Sequence, residues 1–481
     1  MIRDWIETAA ARGEDAIYLQ EAGGAGKLTF AGLQRWTSAM AAFLDRAGIP
    51  PGGRVAIRLP DPLGYATALV AILGAGRVAV PLDPGAPAAA LDRVLSVARP
   101  EAVISNSGSG LPPGLTVLGM PSPGAAEGIL SRPGAGIFLC TSGTTGTPKG
   151  VLLSEDQLGH VAACVARHHR LGPADRGYCS LPLFHVNAEV VGLLATLAAG
   201  ACLVLDGRFS RRRFWATIEA RQITWINAVP AIITVLAMEP AAVRPPDRVR
   251  FVRSASAPLP PSALRRFEEA FGIPVIETYG MTEAASMITA NPMDGPRKAG
   301  SAGRPAGAEV RVVRQAGSRC VPCPVGAVGR VQIRGRGVIR QYAAGGPAGA
   351  IDRDGWLDTG DLGHLDTDGY LFLAGRSDDV INRGGEKIYP RQIEDFLLAQ
   401  PGVRSAAVVA ARDEVLGECP VAYVVPVGPE TGLEDALRAA CEADLPRPQR
   451  PAAFHLVREL PLGPTGKVAR GRLRELAAAH A

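Results

Sequence analysis

Two stretches of the chain repeat one plan. Ala66-Thr-Ala-Leu-Val-Ala-Ile-Leu-Gly-Ala-Gly76 runs into Val78-Ala-Val-Pro-Leu-Asp83, and Val191-Gly-Leu-Leu-Ala-Thr-Leu-Ala-Ala-Gly200 runs into Ala201-Cys-Leu-Val-Leu-Asp206. Each reads as an apolar helix, a glycine stop and a buried strand. A strand with no polar alternation has to be covered on both faces, which is the situation of a parallel sheet between helix layers. The repeat therefore predicts an α/β chain with two similarly built layers and mainly parallel sheets. Its second copy lies in the longest apolar run, Val190 to Leu205, which is too short and too interrupted by glycine for a membrane span.

The chain has 481 residues, enough for two or three domains. With 47% apolar and 20% charged residues it falls among soluble globular proteins, and a net charge of +5 spread along the chain leaves no nucleic-acid footprint. Glu7, Arg12 and Glu14 interrupt any apolar leader after Met1, so a cytoplasmic protein is expected. The eight cysteines show no framework spacing, as reduced thiols would. Cys320 and Cys323 form the one C-x-x-C; without a second pair or nearby histidines it reads as a hairpin turn around Pro322, not a metal site.

From about Arg304 the pattern shifts to short alternating strands, Val310-Arg-Val-Val313 and Arg330-Val-Gln-Ile-Arg334, the signature of a small β subdomain. After Gly375-Arg376 a compact α+β unit follows, with a helix from Pro390 to Leu398, a strand from Ala406 to Ala410, and another from Val421 to Val425 that Pro426 ends. Residues 1–375 and 376–481 are thus expected to form a large and a small domain, with a hinge near Ser377-Asp378.

The stretch Cys140-Thr-Ser-Gly-Thr-Thr-Gly-Thr-Pro-Lys-Gly-Val151 is built to wrap a polyphosphate. Its glycines permit close backbone approach, so main-chain N–H groups, hydroxyls and the Lys149 ammonium can converge on anionic oxygens. It is no Walker loop, since Lys149 follows Pro148 and precedes Gly150. Four further motifs follow in order: Thr278-Tyr-Gly-Met-Thr-Glu283, Gly355-Trp-Leu-Asp-Thr-Gly-Asp361, Gly375-Arg-Ser-Asp-Asp-Val-Ile-Asn-Arg-Gly-Gly385 and Pro464-Thr-Gly-Lys467.

In this order and spacing the motifs resemble the adenylate-forming superfamily of acyl-CoA synthetases, adenylation domains and beetle-type luciferases. The resemblance implies a large N-terminal domain of packed α/β subdomains plus a small β subdomain, followed by a small mobile α+β domain. It also implies an ATP-dependent acid–thiol ligase that makes an acyl-AMP and then a thioester, with ATP, Mg2+ and coenzyme A as cofactors. Thr141, Ser142, Gly143, Thr144, Thr145 and Lys149 would hold the β- and γ-phosphates. Tyr279 with Gly280 would stack on adenine opposite Ser256, Ala257 and Pro258, while Thr282 reaches the α-phosphate and Glu283 binds magnesium. Asp361, with Arg376, would grip the ribose, since one carboxylate can accept both hydroxyls. Lys467 would bridge the substrate carboxylate and the α-phosphate, stabilising charge in the transition state. Rotation about Asp378 would then bring Gly384 and Gly385 to the site for the pantetheine arm.

His185, Asn187, Ala188, Arg253, Ser254, Ala285 and Ser286 are the expected acid pocket. His185 stands where amino-acid-activating relatives carry an aspartate, which argues against an amino acid. Segments such as Gly207-Arg-Phe-Ser210 and Ala228-Val-Pro230 look similar to the oxalate–CoA ligase branch, yet Asn187 and Ser286 replace histidines typical of it. The small Ala188, Ala285 and Ser286 favour a specialised or aliphatic carboxylic acid, with a small polar acid such as oxalate as the alternative reading. The acceptor would be CoA or an acyl carrier protein.

Overall fold

The computed structural model describes residues 1–123, 133–141, 148–238, 244–316, 319–428, 431–462 and 468–480. Both helix–glycine–strand units form. The first is helix Pro62–Gly74 followed by strand Val78–Pro81. The second ends at Gly200, whose left-handed φ of 63° stops helix Ala195–Ala199 before strand Cys202–Leu205. These strands lie inside different sheets, as the repeat predicts.

In the larger sheet a run of parallel strands, in spatial order Val275–Met281, Phe251–Ser254, Trp225–Ala228, Arg176–Cys179, Cys202–Leu205 and Ile17–Glu21, carries antiparallel strands at both edges. The six-stranded sheet is parallel from Thr116–Leu118 to Gly136–Thr141 and ends in the antiparallel Lys149–Ser154. One apolar cluster joins both: Ile57, Ala79 and Ile137 from one sheet, Leu203, Ile276 and Ile288 from the other, with Leu69, Val161 and Val190 of intervening helices. Burying each of these Val, Leu and Ile side chains is worth about 1.5–3 kcal/mol, so this shared core holds the two layers in one body.

A five-stranded antiparallel sheet over residues 309–376 follows, and then a smaller sheet built around the long antiparallel pair Val403–Asp413 and Gly417–Pro426. Helix Pro390–Ala399 matches its expectation, and Pro426 is the last residue of its strand. Two expectations need correction. Pro322 is not in a turn: it closes strand Arg319–Pro322 and pairs with Val313, at a sheet edge where a missing N–H costs no ladder bond. The apolar run at 190 is not an ordinary helix throughout, because Asn187–Leu194 is a π-helix that becomes α only at Ala195. Among the described residues no helix is long and apolar enough to cross a membrane.

Candidate active site

Of the residues expected to line the acid pocket, Arg253 and Ser254 lie at the end of a parallel strand and Asn187 at the start of the π-helix. Neighbouring strands place Asn227 and Arg253 side by side in register, and the π-helix drops Asn187 onto them. The Arg253 guanidinium donates to Asn187 Oδ1 at 2.7 Å and to Asn227 Oδ1 at 3.1 Å, while Asn227 Nδ2 donates to the same Asn187 oxygen at 3.3 Å. Arg253 is 1% exposed, and burial lowers its pKa to about 9. No carboxylate pairs with it among the described residues, and its Nε has no partner. The Asn187 oxygen being taken by two donors, its Nδ2 is the outward group, and it reaches Ser256 Oγ at 3.2 Å.

Around this network Ala188 and Ala285 are fully buried in the main core, and Ser286 is 5% exposed. Ser254 is buried with its hydroxyl unpartnered. The His185 ring packs 4.6 Å from that of Phe184. Glu189, one position beyond Ala188, is fully buried with neither oxygen bonded, and burial holds its pKa well above the carboxylate range. Ser256, Ala285 and Ser286 all have left-handed φ (76°, 49° and 97°), which side chains tolerate only under strong local constraint.

Beside the pocket the Tyr279 hydroxyl donates to Asp361 Oδ2 at 2.5 Å, and Arg376 binds Asp361 Oδ1 and the Thr359 carbonyl, each at 3.1 Å. Burial, then the Asp361 charge, raise the Tyr279 pKa. Gly280 has no alternative here: a Cβ would sit 1.3 Å from the Ser286 carbonyl oxygen, because the hairpin folds strand Ser286–Ala290 back over it with a register shift at that point. Ser256, Ala257 and Pro258 form an exposed loop after strand Phe251–Ser254.

Thr141 and Lys149, both expected to hold phosphates, pair across antiparallel strands. Ser142, Gly143, Thr144 and Thr145 lie outside the described residues, as does Lys467. Gly150 is stitched to Ala343 and Ala344 by backbone bonds of 2.8 to 3.3 Å, which brings Tyr342 to the site. Lys149 Nζ lies 5.9 Å from the Tyr342 ring, and the Tyr342 hydroxyl donates to Glu283 Oε1 at 3.1 Å. Thr282 and Glu283 share a single 3-10 turn, and Ile339 N caps the Glu283 carbonyl at 2.8 Å. Among the described residues no three metal-ligating side chains cluster. A site with one carboxylate still fits Mg2+, which keeps waters and takes its other oxygens from phosphates.

Gly384 and Gly385 form an exposed turn whose bonds stay within the small domain, from Gly384 N to the Leu416 carbonyl and from Gly385 N to Asn382 Oδ1. Asp378 sits in the short turn Ser377–Asp379, where the Arg474 guanidinium reaches its carbonyl at 3.2 Å. Sequence reasoning missed Asn227 and Tyr342. A polar Asn inside the apolar strand Trp-Ile-Asn-Ala was a usable signal, whereas nothing local marks Tyr342.

The AMP-binding enzyme family model matches residues 6–124 and 135–343, and the AMP-binding enzyme C-terminal domain model matches 392–467. The chain is 38% identical to a sulfoacetate–CoA ligase of Cupriavidus necator, over 97% of this chain and 96% of that one. It is 35% identical to an oxalate–CoA ligase of Arabidopsis thaliana over 88% of each. The ATP-bound crystal structure of MatB from Rhodopseudomonas palustris superposes with a TM-score of 0.89 at 28% identity, covering 99% of both chains. The motifs, the paired sheets and these matches together place the chain in the AMP-binding enzyme family, within the adenylate-forming superfamily and near its oxalate–CoA ligase branch.

Proposed function

We propose that this enzyme activates a short carboxylic acid bearing a second anionic group, carboxylate or sulfonate, as its acyl-AMP and transfers the acyl group to CoA. One observation carries the choice of acid: Asn187 is locked with its oxygen inward and its N–H₂ toward Ser256, backed by a buried guanidinium that no carboxylate among the described residues neutralises. Such a group can donate to an acceptor but cannot accept from a donor. An uncompensated buried charge costs several kcal/mol, and a substrate anion beside it recovers part of that. Of the two readings the sequence leaves, a larger apolar acid and a small polar one, this geometry supports the second.

Lys149, with the hydroxyls of the preceding loop, holds the pyrophosphate that leaves; Glu283, oriented by Tyr342, supplies the protein oxygen for Mg2+. Magnesium bound with ATP contributes charge neutralisation on that leaving group. Asp361 and Arg376 hold the ribose, Tyr279 the adenine, and Lys467 of the small domain the attacking carboxylate. Residues 376–481 then rotate about Asp378, so that Gly384 and Gly385 admit the thiol.

The test is acid-dependent pyrophosphate exchange with oxalate, sulfoacetate and monocarboxylates from two to eight carbons. The dianions should exceed every monocarboxylate in kcat/KM by at least about tenfold, the worth of one charge-assisted hydrogen bond. Preference for a longer monocarboxylate would restore the apolar reading.

A further inference from the structure

Away from the adenylation site, the last turn of helix Glu155–His168 faces the ends of strands Ser286–Ala290 and Arg304–Pro305 across an open surface cleft of about 300 Å³. Its lining is Cys164, Arg167, His168 and Arg304 with small apolar walls at Ala290, Pro292, Pro305 and Ala306. Among the described residues there is no acidic residue in that lining. Neither guanidinium has a carboxylate partner among the described residues: Arg167 touches only the Cys164 sulfur, at 3.3 Å, and Arg304 lies over the Tyr370 ring, 4.6 Å from its centroid. The nearby Asp294 carboxylate is already engaged by Arg170.

We propose that this cleft binds a small organic oxyanion, a carboxylate or a phosphate ester, gripped between Arg167 and Arg304. Guanidinium forks match the planar oxygens of such groups, and the short apolar walls fit a compact body behind them. The surrounding field agrees. His168 joins His169 at 3.0 Å between ring nitrogens, and burial and then the Arg253 charge hold the pKa of both rings down. The two lining guanidiniums, both on exposed residues, thus face the cleft with no carboxylate in the described lining. An occupant would tie the helix to the strand pair whose first residue is Ser286, so the site is suited to an effector that stiffens the acid pocket from behind.

The experiment uses the full chain saturated with α,β-methylene-ATP, so that the phosphate loop is filled. Inorganic phosphate and, in a separate arm, acetate are titrated calorimetrically into the wild type and into the Arg167→Gln/Arg304→Gln double variant. At least one anion should bind the wild type saturably, and the double variant should bind it at least about tenfold more weakly; which arm responds identifies phosphate or carboxylate as the preferred group. Equal affinity in the double variant, or no saturable binding in either arm, overturns the proposal. Cys164 gives a readout that needs no variant. The anion that binds should slow its alkylation by iodoacetamide at least about threefold in the wild type, and an unchanged rate would count against the site.

Discussion

Gly280 shows how little freedom single residues have at this site. Any side chain there meets the Ser286 carbonyl at a distance no contact allows, and Ser286 itself already stands at a left-handed φ. Gly280→Ala should therefore destabilise the protein by about 3 kcal/mol, the upper range for forcing atoms into a packed region, and weaken nucleotide binding with it. Urea denaturation and ATP titration would measure both. Wild-type stability would mean that strand Ser286–Ala290 shifts at no cost. Residue identities at the site were partly legible in sequence: Asn187 and Arg253 stood out one at a time. Their bonding was not legible, because the orientation of an amide depends on which donors surround it, and the decisive one, Asn227, comes from a strand forty positions away.

At the scale of elements, strand Val275–Met281 does two things at once. Its C-terminal end carries Tyr279, while its middle carries Glu277, whose carboxyl feels the charges of Arg391 and Asp395 on helix Pro390–Ala399 of the small domain. There Glu277, 7% exposed, faces Arg391 and Asp395 and accepts from the amides of Gly300 and Leu259; burial is the largest influence, and its pKa rises to about 8. A carboxyl whose folded pKa is raised binds more protons folded than unfolded, so stability is greatest below the unfolded pKa near 4.5 and falls as pH rises toward 8. Glu277→Gln should abolish that slope, leaving the variant more stable than the wild type at pH 8 and closer to it at pH 5. Thermal melts across that range decide it, and parallel curves would show that Glu277 is ionised throughout. Helices, glycine stops and buried strands were readable because periodicity records burial directly. The π-turn and the edge strand at Pro322 were not, since both depend on what lies alongside.

For the whole molecule, the small domain meets the large one around Glu277 and through a hydrogen bond of 3.4 Å from Ser262 to the Leu398 carbonyl. The turn containing Asp378 is anchored on the small-domain side, where Arg470 and Arg474 both pair with Asp379. Lys467 belongs to the same domain, flanked by Leu462 and Val468, which form an antiparallel β-bridge. If its charge serves only the attack on the α-phosphate, Lys467→Ala should cut acyl-AMP formation by about 10²–10³ and spare thioester synthesis from supplied acyl-AMP. Separate assays of the two half-reactions test this, and equal loss in both would remove Lys467 from its assigned step.

The π-helix at Asn187–Leu194 bears on how the pocket could change over evolutionary time. A π-turn holds one residue more than the α-turn it replaces, so it is equivalent to a single-residue insertion. Deleting one residue from this segment would let it relax to an α-helix and swing Asn187 by about 100° around the axis, away from Arg253 and Asn227. In an alignment that event appears as a one-position gap beside otherwise unchanged motifs. If Asn187 selects the acid as proposed, acid preference can thus be altered by segment length alone, with every pocket residue still present.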